Sequence, residues 1–124
     1  MLGHRFGPVT TKMFDALVKI QSARGFASDI GPKLFSLLNQ NELLEDIHEE
    51  KNILRYNTED GKLGKAAVSN SKYGFSNIKS VLLPIFEVTS EEFDEMIDVL
   101  GKELNDNESY LDVNRVYGRK KENI

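Results

Sequence analysis

Tyr110-Leu111-Asp112-Val113-Asn114-Arg115-Val116-Tyr117-Gly118-Arg119 is the stretch on which the fold class turns. Leu111, Val113 and Tyr117 share one parity and Val116 takes the other, the period-two pattern of a strand. Gly118 and the basic Arg119-Lys120-Lys121 end the run. Working backwards, Glu45 to Tyr56 is a second candidate strand. Ile47 and Ile53 lie on one parity and Leu54 and Tyr56 on the other. That imperfect alternation predicts a strand half covered on each face.

Everything else with a pattern is helical. From Val9 to Ala23, Met13, Ala16, Leu17 and Ile20 recur at three- and four-residue steps, widened by Phe14 and Val18. Thr10 or Thr11 is the expected cap, and Gly25 stands where a helix ending needs positive φ. Asp29 and Pro32 signal a second helix over Gly31 to Asn39, whose Leu34, Phe35, Leu37 and Leu38 leave little polar face. Asn57-Thr58-Glu59-Asp60-Gly61 is a turn cluster. Leu63 to Phe86 is a weaker helical pattern carried by Leu63, Ala67, Ile78, Val81, Leu82 and Ile85. Ser69-Asn70-Ser71 and Gly74 are poor helix formers and predict a break in its middle, and Pro84 predicts an end or a kink. Ser90 to Leu104 is the strongest helix. Thr89 and Glu92 fit a capping box, Val88 and Phe93 a hydrophobic staple, and Phe93, Met96, Ile97, Leu100 and Leu104 one apolar face. Asp106-Asn107 closes it. The expectation is one domain over residues 1–124, with four to five helices and two strands.

Composition bounds the function. The 124 residues are 40% hydrophobic and 29% charged, a globular balance that excludes wholesale disorder and collagen-like repeats. The absence of cysteine excludes disulfides, CxxC zinc sites and thiol catalysis. A formal charge of −4 argues against a nucleic-acid footprint. No stretch reads as a signal peptide or a membrane span, so a soluble, cytoplasmic location is expected, with the nucleus left open. Asn107-Glu108-Ser109 fits the glycosylation triplet, a match expected by chance without a secretory signal.

The order of several motifs resembles a known family. It runs from Ala23-Arg24-Gly25-Phe26 with Asp29, through a helix ending Leu37-Leu38 and a strand, to Gly61-Lys62-Leu63-Gly64. Then come Leu83-Pro84, Val88-Thr89-Ser90-Glu91-Glu92-Phe93-Asp94-Glu95, Lys102-Glu103-Leu104 and Val116-Tyr117-Gly118-Arg119-Lys120-Lys121. From Phe6 to Lys121 this resembles the C-terminal portion of class I S-adenosylmethionine-dependent methyltransferases, the fungal-type methyltransferase domain group. The resemblance implies the back half of a Rossmann-like α/β fold, α+β as it stands. Glu45–Tyr56 and Tyr110–Arg119 would be its last two strands, an antiparallel pair joined through helices. Residues 9–40 would lead from the preceding strand, and the Leu63–Leu104 helices would lie over the substrate side.

In that family a glycine-rich turn after the first strand receives the cofactor, and an acidic residue ending the second strand binds the ribose. Here no two glycines are spaced G-x-G, and no βαβαβ run of apolar strands precedes them. No cofactor-binding or catalytic residue of the family carries over to a position in this chain.

Each remaining candidate site has a plainer reading. Gly61-Lys62-Leu63-Gly64-Lys65 lacks the spacing of a phosphate loop, and Ala66 stands where Ser or Thr is needed, so it reads as a turn opening a helix. His4 and His48 are the only histidines, with no ligand spacing between them, and His48 with Glu45, Glu49 and Glu50 reads as a solvated strand edge. Glu49-Glu50 and Glu91-Glu92 could serve acid–base chemistry only in a cleft, and Glu92 already has a capping role. Arg115, Arg119, Lys120 and Lys121 form the one basic concentration and read as a strand end and solvated tail. Three functional readings stay open: a methyltransferase by ancestry, truncated and inactive alone; a non-catalytic or regulatory subunit completing a partner methyltransferase, or pairing with itself, through an exposed sheet edge; and an unrelated α+β binding module.

Overall fold

The protein is described by a computed structural model over residues 3–26, 30–57 and 61–122. The expected start signal at Asp29 and the turn residues Thr58, Glu59 and Asp60 lie outside the described residues. The chain is α+β. Its order is β1 (Gly3–His4), α1 (Pro8–Ala23), a 3₁₀ turn (Gly31–Lys33) running into α2 (Leu34–Asn39), β2 (Leu44–Arg55), α3 (Lys62–Asn77), α4 (Lys79–Phe86), α5 (Ser90–Asp106) and β3 (Tyr110–Lys120).

The three strands form one antiparallel sheet in the order β1-β3-β2. β2 and β3 pair from Leu44↔Lys120 to Arg55↔Tyr110, with a register shift between Glu45 and His48. Asp46 lies inside that shift at φ 52°. Beyond it the ladder runs unbroken from His48 to Arg55, so Ile53 and Leu54 face opposite sides: Leu54 packs against the core while Ile53 is 42% exposed. β1 was not expected. It touches β3 only at Gly3↔Leu111 and His4↔Tyr110, and two residues are too short to leave a periodic signal. From Asp112 onward no described strand runs along that edge of β3.

α5 organises the core. Its capping box forms as expected, with the Glu92 N–H donating to Thr89 Oγ1 at 3.1 Å and the Thr89 N–H to Glu92 Oε1 at 3.2 Å. Phe93, Ile97, Leu100 and Leu104 are buried, and Met96 packs beside them. Met13 and Phe14 of α1, Ala67 and Phe75 of α3 and Leu82 of α4 meet that stripe. Each such fully buried side chain contributes about 1.5–3 kcal/mol.

Two helix expectations are corrected. The break placed near Ser69–Gly74 falls instead after Asn77, where Ile78 leaves helical geometry (φ −107°, ψ 16°). Burial of Ala67 and Phe75 holds α3 together through its weak formers, and the step at Ile78 re-aims α4 so that Leu82 enters the same core. Pro84 sits inside α4, which ends two residues later with Glu87 left-handed at φ 54°. Neither Thr10 nor Thr11 caps α1; Gly7 is its N-cap and makes no side-chain cap.

Candidate functional site

Beside the T-shaped contact of the Phe14 and Phe75 rings (5.1 Å, 81°) opens a cavity of about 350 Å³. α1 supplies Phe14 and Leu17, the sheet end supplies Leu54, Tyr56 and Leu111, and α3 supplies Ala67, Asn70, Ser71, Gly74 and Phe75. On α3 the lining residues recur at three- and four-residue steps, so one face of that helix forms the wall. Among the described residues, no acid, base or histidine lines the cavity.

Its polar point is Tyr56. The Tyr56 N–H donates to the Ser109 carbonyl at 3.0 Å, pinning the residue just beyond β2. The ring is 2% exposed. Ser71 Oγ lies 3.5 Å from the Tyr56 hydroxyl, which can both accept from it and donate. Burial pushes the Tyr56 hydroxyl above the usual tyrosine range, and the Ser71 bond opposes that only in part. The group is therefore a neutral donor. Among the described residues, Tyr56 and Ser71 can bind and orient a molecule through their hydroxyls.

A second cluster fastens the chain beside the cavity. Ser109 is fully buried and donates to the Arg5 carbonyl at 2.7 Å. Ser109 is also the third residue of the Asn107-Glu108-Ser109 triplet, so its hydroxyl is already engaged. Glu103 of α5 accepts from Val9 N–H (3.3 Å), Thr10 N–H (2.8 Å) and the Thr10 hydroxyl (2.9 Å), occupying the N-terminus of α1. At the β1–α1 junction a Cβ on Gly7 would run into the Glu103 carboxyl, so the close backbone approach there is taken up by the protein's own side chain.

The remaining sequence candidates are scattered. His4 Nε2 lies 2.7 Å from Asp112 Oδ2 and its ring stacks on Tyr110. His48 stacks on Tyr117, seven positions along β3 and so roughly 23 Å from that partner. No group of three His, Asp or Glu among the described residues could hold a metal ion. Arg115 pairs with Glu50 (3.3 Å), and Arg119 with Glu45 (3.1 Å) and Asp46 (2.8 Å), so these cations face cross-strand carboxylates rather than a free anion site. Gly61 begins α3 at φ 101° with Leu63 exposed beside it, the helix-opening turn expected. Glu49 lies 3.6 Å from Lys51, and Glu91 stands in the first turn of α5, both away from the cavity lining. No described helix is long and apolar enough to cross a membrane.

Sequence reasoning passed over the cavity. Its one trace was Ser69-Asn70-Ser71 and Gly74, read as a helix break when Asn70, Ser71 and Gly74 are an open helix wall. Comparison with known proteins returns no matching family model and no matching curated protein.

Proposed function

We propose that the chain forms the C-terminal part of a class I S-adenosylmethionine-dependent methyltransferase and does not transfer methyl groups alone. The observation that carries this reading is the long antiparallel pairing of β2 with β3 across an intervening set of helices. That is the arrangement the motif resemblance implies for the family's last two strands. The unpaired side of β3 beyond Leu111 supports it further, because further strands of a larger sheet could continue there. The cofactor-binding residues then belong to polypeptide other than these 124 residues, contiguous with them or supplied by a partner chain. In the second case this chain is the non-catalytic subunit.

The test is affinity capture with the tagged chain from its native cells, followed by photo-crosslinking of radiolabelled S-adenosylmethionine. The expected label falls on a co-purifying polypeptide that carries a glycine-rich turn. Stoichiometric labelling of the purified chain by itself overturns the reading. A chain that stays monomeric and captures no cofactor-binding polypeptide overturns the partner-chain form of it.

A further inference from the structure

The cavity under α3 combines three properties. Its volume, about 350 Å³, exceeds the roughly 150 Å³ of a cavity that holds one benzene. Its described lining holds no carboxylate, amine or imidazole, so an ionic guest would meet no countercharge from it. And it contains one buried phenolic hydroxyl, 3.5 Å from Ser71 Oγ and able to donate, on a tyrosine fixed through its backbone to Ser109.

The helix wall is built at a local cost. Gly and the short polar residues lower helix propensity, and a Gly inside a helix costs about 1 kcal/mol relative to Ala. A Cβ built at Gly74 meets nothing within 4 Å, so close packing does not demand glycine there. Local rules broken without a packing reason mark places where function is the constraint.

We propose that this cavity binds a neutral, flat, largely apolar molecule of about two fused rings, held by a carbonyl or ether oxygen that accepts the Tyr56 proton. The aromatic pair Phe14 and Phe75 forms one wall against the ring system, and Ser71 orients the tyrosine by donating to it. Asn70 stands exposed at the mouth. The inference stands on this chain alone and does not depend on methyltransferase ancestry.

The experiment titrates the 124-residue chain with α-tetralone, with its parent hydrocarbon tetralin and with the naphthoate anion, followed by amide and methyl NMR shifts. α-Tetralone is expected to bind with a dissociation constant of about 0.1–1 mM, shifting Leu17, Leu54, Ala67 and Leu111. Tyr56→Phe should weaken α-tetralone about three- to tenfold and leave tetralin unchanged, a split that a purely structural tyrosine would not produce. Gly74→Leu, which improves helix propensity while filling the wall, should abolish binding of both. The proposal is overturned by any of four results: no saturable shifts with α-tetralone, naphthoate binding as tightly as α-tetralone, equal losses for both neutral probes in Tyr56→Phe, or a chain whose spectrum shows no folded cavity to fill.

Discussion

Glu103 does for α1 what no residue of α1 does for itself. Three donors from Val9 and Thr10 converge on its carboxylate, and Thr10 is fully buried. Hydrogen bonds to a charged acceptor are worth about 1.5–3 kcal/mol, and removing the acceptor strands a buried hydroxyl. Glu103→Ala should therefore destabilise the chain by about 2–4 kcal/mol in urea unfolding, well beyond an exposed helix substitution. Tyr56 makes a prediction in pH. Its hydroxyl ionises at a higher pH in the folded chain than in the unfolded one. Above about pH 10 the unfolded state thus holds fewer protons, and stability falls as pH rises toward the folded value. Tyr56→Phe should flatten that part of the curve, as read by denaturation midpoints between pH 9 and 11, a window set by the usual tyrosine value of about 10.

Among the elements, α5 and α3 make opposite demands on local sequence. In α5 the capping box and the four-three-four spacing of Phe93, Ile97, Leu100 and Leu104 agree, and the helix was legible almost to its last residue. Glu92→Ala should cost about 0.5–1 kcal/mol in thermal unfolding, since only the reciprocal half of the box is lost. In α3 local preference and tertiary packing disagree. Gly74→Ala should raise stability by about 0.5–1 kcal/mol, because the added methyl meets open space. A drop in melting temperature instead would show that the wall needs a bare backbone. The same disagreement misplaced the break in sequence: propensity pointed to Ser69–Gly74, while burial of Phe75 and Leu82 sets it at Ile78. The Glu103 cap was invisible for a related reason, since it joins residues more than ninety positions apart, where no spacing rule reaches.

At the scale of the molecule, β3 was legible because Leu111, Val113 and Tyr117 share one parity, and β2 was legible despite an imperfect alternation because Ile47, Ile53, Leu54 and Tyr56 carry a strand-like composition. β1 was not, since pairing with β3 rather than any pattern of its own makes it a strand. The sheet it completes is lopsided: β3 is covered along its length by β2 but by β1 at one end only. Amide exchange should reflect this. Amides within the β2–β3 ladder should exchange slowest, while alternate β3 amides from Val113 to Arg119 that point away from β2 should exchange fast. Protection of that second set on adding a captured partner would locate the join.

The hydroxyl of Ser109 and the carboxylate of Glu103 both reach back to residues before Met13, at Arg5, Val9 and Thr10. A protein synthesised from an internal start at Met13 would keep nearly all of its apolar interior and yet leave two anchoring groups with nothing to hold. Such a shortened product should be loosened where its last helix meets its last strand, and be cleared by proteases faster than its full-length sibling.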